Sequence, residues 1–227
     1  MERKTIVFAP HPDDETLGCG GTIAKRLHEK NDVLVVVMTD GRNSFAEILD
    51  TTSGPAPEEV KQIRMDEIKK AMTILGVSNE NLVFFEFEDG KLSDSEIDAE
   101  SKVVQILKKY LPSEVFFTYA KDNNSDHLAT NRIVRRAIKS LNMHVAQYQY
   151  SIIRSHLRVG PLIDSFFNFF THNQISIDIS EFLNIKKAAL NEYKTQTTLW
   201  LPTQKKPVLS KRVIDMHLKE KEIFYRI

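Results

Sequence analysis

The sequence predicts an α/β fold in which an open, mostly parallel sheet carries helices on both faces. Short runs of consecutive apolar residues, typical of strands buried on both faces, alternate with longer segments whose apolar residues recur at helical spacing. The chain has 227 residues, of which 41% are hydrophobic, and this is enough for one globular domain with a buried core. We therefore expect a single domain over residues 1–227, with the less regular region 144–227 completing its pocket.

The first third of the chain predicts two strands and two helices. Thr5–Phe8 and Val33–Met38 are the strands, and the second is a continuous run of β-branched and apolar residues. Apolar residues at helical spacing follow each strand, first over Thr16–Lys30 and then over 63–75, where Gly76 ends the helix. The order strand, helix, strand predicts a parallel βαβ unit.

The same alternation continues through the middle of the chain. Leu82–Phe87 and Glu114–Tyr119 are predicted strands, and a helical stripe covers Ser95–Leu111 between them. Ser125 is a plausible N-cap for a further helix that runs to about Leu141. Four strand–helix pairs with right-handed crossovers indicate a Rossmann-like sheet.

The pattern becomes less regular after residue 143. We expect a strand near Val145–Ile152, a phenylalanine-rich segment at 166–170, a strand at Ile175–Ile179 and a helix over Glu181–Tyr193. Thr195–Pro207 contains no helical or strand pattern, and we expect this loop to form a lid or rim over the pocket.

Composition limits the partners and the compartment. Lys plus Arg and Asp plus Glu both number 31, so overall charge favours neither nucleic acid nor an acidic membrane surface. The single cysteine, the lack of a signal-peptide pattern and the lack of a membrane-spanning apolar run predict a cytoplasmic protein. Residues 204–227 have a net charge of +4, from seven basic and three acidic residues. This local positive charge could attract a phosphorylated or nucleotide-linked substrate. Homo-oligomer formation is also left open.

Polar residues cluster after the first and fourth predicted strands. Ligands of open parallel sheets bind beyond the carboxyl ends of the strands, where this sequence places His11, Asp13 and Asp14 and, in the other segment, His127. A hydrolytic zinc site needs three protein ligands and an open position for water. His11, Asp14 and His127 could supply those ligands, which leaves Asp13 as a base for the attacking water.

The segment Ala9–Gly21, with the sequence APHPDDETLGCGG, resembles the signature of the zinc-dependent de-N-acetylases. This is the family of the N-acetylglucosaminyl-phosphatidylinositol deacetylase, also called PIG-L or LmbE-like. Asp126 and His127 are similar to its second metal motif. Residues elsewhere in the chain also look like family positions: Arg64, Glu67, Ala71, Leu75, Gly76, Lys186, Ala189, Leu190, Tyr193, Thr195 and Gln196.

The resemblance implies particular roles for five of these residues. His11, Asp14 and His127 would be the metal ligands, for Zn²⁺ or another divalent metal such as Fe²⁺. Asp13 would be the general base, and Arg64 is similar in position to an arginine that helps to bind substrate or the tetrahedral intermediate.

One position departs from the family pattern. Many relatives have a histidine three residues before the second metal-binding histidine, where it stabilises the oxyanion or protonates the leaving amine, and this sequence has Asn124 there. An asparagine amide donates a hydrogen bond to an oxyanion but supplies no proton near pH 7. Protonation of the amine would then fall to Asp13 acting twice, or to another residue.

The resemblance implies a hydrolase that removes an acetyl group from an N-acetylated amino sugar, such as an N-acetylglucosamine derivative or conjugate, and releases acetate and a free amine. Two alternatives stay open: a non-catalytic module that binds metal and sugar, and an amidase that acts on a larger amide of a thiol conjugate. Gly18, Gly20 and Gly21 loosely match a dinucleotide fingerprint, but close packing of the helix on a strand explains them better.

Overall fold

The computed structural model describes residues 3–45, 54–152 and 173–227. Its strands alternate with helices over the first 150 residues, as the sequence predicts. The helices and strands are β1 (Lys4–Ala9), α1 (Asp14–His28), β2 (Asp32–Thr39), α2 (Pro57–Leu75), β3 (Leu82–Phe87), α3 (Glu96–Tyr110), β4 (Glu114–Thr118), α4 (Ser125–Ser140), β5 (Ala146–Tyr150), β6 (Gln174–Asp178), α5 (Leu183–Leu190), α6 (Lys194–Thr197), α7 (Lys211–His217) and β7 (Lys221–Arg226).

The described strands form one sheet in the order β3-β2-β1-β4-β5-β7-β6. The first five strands pair with one another in parallel, whereas β7 lies antiparallel between β5 and β6. The predicted α/β class, with an open and mostly parallel sheet, is therefore confirmed.

Apolar cores on both faces of the sheet explain why its central strands are continuously apolar. On one face α1, α2 and α5 enclose side chains such as Val35 and Phe116. On the other face α3 and α4 enclose side chains such as Val36 and Phe117. Successive residues of a strand point to opposite faces, so both must be apolar when both faces are buried.

The C-terminal region differs most from the sequence prediction. The predicted helix over Glu181–Tyr193 is shorter, because Ser180–Phe182 forms a 3₁₀ turn and α5 ends at Leu190. The sequence analysis also missed β7 and α7, whose short polar-rich sequences carry weak periodicity. The phenylalanine-rich segment 166–170 lies outside the described residues.

The glycines of α1 allow close packing. A Cβ atom added to Gly18 would lie 2.3 Å from the Tyr150 ring, and one added to Gly21 would lie 2.3 Å from Ile179. These distances are far below a van der Waals contact, so packing on a strand is confirmed for Gly18, which faces the last residue of β5, whereas Gly21 packs on a residue just after β6. In the part of the chain that the structure describes, no helix is long and apolar enough to cross a membrane.

Candidate active site

The candidate site lies at the carboxyl ends of β1 and β4. β1 pairs with β2 on one side and with β4 on the other, so the direction in which successive strands are added reverses here. Open α/β sheets bind ligands in the crevice at such a reversal. His11 follows β1, and His127 lies in the first turn of α4, just after β4.

Two imidazoles converge on one carboxylate in this crevice. Oδ2 of Asp14 lies 3.0 Å from Nδ1 of His11 and 3.1 Å from Nε2 of His127. One ligand atom from each residue lies within 4.8 Å of the others. Two imidazole nitrogens and a carboxylate oxygen are donors that Zn²⁺ and similar divalent ions accept. The structure thus brings the three predicted ligands together in an arrangement that fits such an ion.

The charges of this cluster are tightly linked. Burial by itself would favour a neutral carboxyl, but the two imidazoles hold the pKa of Asp14 well below its usual range. Burial also opposes charge on the imidazoles, yet the surrounding carboxylates raise the pKa of His127 to about 9 and that of His11 well above its ordinary value. A metal ion would therefore have to displace protons from both histidines.

Asp13 lies just before α1 in an unusual backbone conformation. Its φ angle is +132°, a region that L-residues rarely adopt and that costs conformational free energy. Local hydrogen bonds hold it there: its N–H donates to Glu15 at 3.1 Å, and its carbonyl accepts from the N–H groups of Thr16 and Leu17. Backbone strain at a buried carboxylate is typical of a functional position.

Burial raises the pKa of Asp13 to about 8. The Arg64 guanidinium, 3.2 Å from Asp13 Oδ2, opposes this shift, while the neighbouring carboxylates of Asp14 and Glu15 reinforce it. A carboxyl group with a pKa near neutrality can both accept and return a proton. The role of Asp13 as general base stays a prediction.

Arg64 reaches the site from α2 and holds the loops around Asp13. Its guanidinium donates to the carbonyl oxygens of Pro12 at 2.6 Å and Gly41 at 3.0 Å. Gly41 has a φ of +67°, and a Cβ atom there would lie 2.4 Å from Nη1 of Arg64. Glycine is therefore needed at position 41 for this approach.

Asn124, rather than the predicted Ser125, is the N-cap of α4. Its Oδ1 accepts from the N–H groups of Asp126 at 2.8 Å and His127 at 3.3 Å, because a cap residue must precede the first helical turn. With Oδ1 engaged, the side chain offers its Nδ2 hydrogens to a ligand. That is the polarity that a hydrogen bond to an oxyanion requires.

The structure adds Asp89 and Asp122, two carboxylates that the sequence analysis did not assign to the site, and shows the contacts of Asp126 from the second motif. Nε2 of His11 lies 3.2 Å from Asp89 and 3.3 Å from Asp126. Asp126 is held in turn by the N–H groups of Gly90 and Leu92. Asp89 follows β3 at the same edge of the sheet. Its position after a strand is the sequence feature that could have identified it as a site residue. Asp122, after β4, lies 3.2 Å from His127.

Residues far along the chain support the first motif from behind. The hydroxyl of Tyr193 donates to Glu15, and Thr16 also donates to Glu15 at 2.6 Å. Thr195 donates to Glu67 of α2 through both its N–H and its hydroxyl. The later residues that resemble the family therefore act as supports around α1 and α2.

The segment Thr195–Pro207 is packed against the loop after β2. Contrary to the prediction of a loop throughout, its first residues belong to α6 (Lys194–Thr197). Trp200 stacks on Phe45 with ring centroids 5.6 Å apart, and the side chain of Gln204 accepts from the backbone N–H of Trp200. Its expected function as a lid stays a prediction.

The fold and the site together define a class: a Rossmann-like α/β protein with a buried His–Asp–His cluster at the reversal of its sheet. Residues 6–138 match the sequence profile of the PIG-L family, described as GlcNAc-PI de-N-acetylase. The chain belongs to this family.

Relatives and solved structures agree with this membership. The chain is 26% identical over 203 residues to the probable N-acetyl-alpha-D-glucosaminyl L-malate deacetylase 2 of Bacillus cereus, an alignment that covers 88% of this chain and 87% of the relative. The fold is similar to that of the N,N'-diacetylchitobiose deacetylase from Pyrococcus horikoshii, with a TM-score of 0.71, 19% identity and coverage of 99% and 84% of the two chains.

The same fold also occurs in a protein with a different activity. The 4-carboxy-2-hydroxymuconate hydratase GalB of Pseudomonas putida matches with a TM-score of 0.67 and 16% identity, over 99% of this chain and 95% of that protein. The reaction must therefore be argued from the site rather than from the fold.

Proposed function

We propose that the protein is a divalent-metal-dependent hydrolase, with Zn²⁺ as the first candidate metal, that removes an acetyl group from an N-acetylated amino sugar or its conjugate. The observation that carries this proposal is the convergence of His11, Asp14 and His127, whose ligand atoms lie within 4.8 Å of one another. A divalent ion in such a site polarises an amide carbonyl and lowers the pKa of water. Among the relatives, the Bacillus cereus protein that is named as a deacetylase supports this proposal.

The residues of the chain have separate tasks in this proposal. His11, Asp14 and His127 hold the ion, and Asp13 takes the proton of the attacking water. Asn124 donates through Nδ2 to the carbonyl oxygen as that oxygen gains negative charge. Arg64 fixes the position of Asp13 and helps to bind the tetrahedral intermediate.

Asp13 also returns the proton to the leaving amine. Asn124 has no proton to give near pH 7, whereas Asp13 would already hold the proton that it took from the attacking water, and its burial favours the protonated carboxyl. One carboxyl group would then act as base in the first half of the reaction and as acid in the second.

The remainder of the chain has a supporting part in the proposal. We assign residues 1–227 to a single de-N-acetylase domain in which region 144–227 completes the pocket, since β6 and β7 belong to the same sheet as β1. We further propose that the protein works in the cytoplasm, where the unpaired thiol of the buried Cys19 stays reduced.

An acetate-release screen paired with elemental analysis tests the proposal. Purified protein is loaded with Zn²⁺ or Fe²⁺ and offered a panel of N-acetylated glucosamine derivatives: the free sugar, its 1-phosphate, a nucleotide-linked form and an acidic glycoside. We expect about one metal ion per chain and acetate release from at least one member. Metal and sugar binding without acetate release would instead support the non-catalytic module.

A further inference from the structure

We propose that Asp122 orients His127 by accepting a hydrogen bond from its Nδ1–H group when Nε2 binds a metal ion. The inference rests on the proposed function, because it concerns how a metal-binding imidazole is oriented. The ring of His127 lies between two carboxylates: Nε2 is 3.1 Å from Asp14 Oδ2, and Nδ1 is 3.2 Å from Asp122 Oδ2.

The chemistry of imidazole gives the second carboxylate its importance. A neutral imidazole has one N–H group and one lone pair, so His127 can offer Nε2 to a metal only when Nδ1 carries the proton. Nδ1 is buried and forms no hydrogen bond of good geometry with any residue that the structure describes. A buried N–H without an acceptor is costly, and Asp122 is the carboxylate that lies beside it.

Asp122 is held independently of His127. Its side chain is fully buried, and its Oδ1 accepts from the N–H of Asn123 at 2.7 Å. Its Oδ2 receives a longer contact, 3.4 Å, from the N–H of Ile152, just after β5. These backbone donors fix the carboxylate, so that it can define the orientation of the imidazole.

His11 provides the contrast within the same site. It presents the other ring nitrogen, Nδ1, to Asp14, and two carboxylates, Asp89 and Asp126, lie behind its Nε2. If either Asp89 or Asp126 is removed, the other carboxylate can still accept a hydrogen bond from Nε2 of His11. His127 has Asp122 alone among the carboxylates that the structure places near its Nδ1, so we expect this imidazole to be the more sensitive of the two.

Two substitutions test whether Asp122 acts as an acceptor. Asp122→Asn removes the charge but keeps a carbonyl oxygen that can accept the Nδ1–H bond, whereas Asp122→Leu keeps a similar volume and removes the acceptor. We expect Asp122→Leu to weaken zinc binding about 10- to 100-fold and Asp122→Asn to weaken it less. Zinc affinity is measured by competition with a chromophoric chelator, and circular dichroism of the metal-free proteins checks folding.

A spectroscopic measurement separates orientation from general damage. With Co²⁺ as the probe, the visible spectrum of Asp122→Asn should keep the intensity of the wild type, while Asp122→Leu should show a shifted or weaker band. Wild-type zinc affinity in Asp122→Leu, or equal losses in both variants, would overturn the inference. Failure of the wild type to bind zinc would instead overturn the proposed function, so the two failures are distinguishable.

Discussion

The first 140 residues and the described C-terminal segment 173–227 use buried charge in different ways. In the first region the buried carboxylate of Asp14 lies between two imidazoles, 3.0 Å from His11 and 3.1 Å from His127, in an arrangement that fits a metal ion. In the second, Lys186 and Glu222 form a closed pair, with Nζ and Oε1 2.7 Å apart. The comparison indicates that buried charge in the first region is gathered at the candidate site, whereas in the second region it connects distant segments of the fold.

The closed pair stabilises α1 from outside the helix. Glu222 accepts from the N–H groups of Gly21 at 2.9 Å and Thr22 at 2.8 Å, and Lys186 donates to the carbonyl oxygen of Leu17 at 2.8 Å. These groups lie within two successive turns of the helix that begins at Asp14. The pair therefore connects the C-terminal region to the helix that carries a predicted metal ligand.

The largest expected effect is on activity, from Asp13→Ala. Removing a general base typically costs about 10²- to 10⁴-fold in rate, and the metal content should stay unchanged because the three ligands remain. Acetate release and elemental analysis measure the two quantities, with Asp94→Ala, at an exposed carboxylate, as the control. Wild-type turnover in the Asp13 variant would remove Asp13 from the reaction.

In the supporting region, Lys186→Met should lower the free energy of unfolding by about 3 kcal/mol, since it leaves the buried carboxylate of Glu222 without its cation. We place the loss at the lower end of the usual range because Glu222 keeps two backbone donors. Urea denaturation measures the loss, and Lys187→Met, at the exposed neighbouring residue, should change stability little. Equal stability of the two variants would contradict the comparison.

The reactive cluster should make the metal-free protein sensitive to pH. The pKa of His127 is raised from 6.5 to about 9 on folding, so the folded state keeps a proton that the unfolded chain loses over this interval. Its stabilisation is fully present below pH 6.5 and is lost as the pH rises through about 9. The raised pKa of Asp13 acts in the same direction between pH 3.8 and about 8.

We therefore expect the metal-free protein to lose on the order of 1–3 kcal/mol between pH 6.5 and 9. Zinc-loaded protein should show no such loss, since bound metal already replaces the protons. Urea denaturation at a series of pH values measures both forms. Metal-free stability that stays constant or rises over this interval would show that the cluster does not hold these protons.

The smallest expected effect comes from Tyr193→Phe, at the contact between the two regions. This change removes the hydroxyl that donates to Glu15, so we expect a loss of about 1–2 kcal/mol in unfolding free energy and nearly unchanged metal affinity. Thermal unfolding of the metal-free protein measures the loss. Tyr148→Phe, on β5, is the control, and a loss as large in that variant would argue against a specific effect at Glu15.

Much of the site could be predicted because its residues follow strands. The order of strands and helices placed His11 and His127 at the same edge of a parallel sheet, and the structure brings both to Asp14. Asp89 was not predicted, although it follows β3 at that edge. A single acidic residue after a strand is common, and only its distance of 3.2 Å to His11 distinguishes it.

The supporting interactions were less predictable. Lys186 and Glu222 are 36 residues apart, and lysine and glutamate are usually exposed. Nothing local to either residue indicates burial or pairing. β7 was missed for a related reason, since its alternating polar residues acquire their partners only when it inserts between β5 and β6.

The sequence by itself determined the α/β class, the alternation of strands and helices along the chain, and the candidate metal-binding residues. Apolar periodicity and position at the end of a strand are local properties, so a single sequence reveals them. The tertiary structure decided which carboxylates lie beside Nε2 of His11 and how the C-terminal segment supports α1. Those features depend on contacts between residues distant in the chain, and such contacts have no local signature.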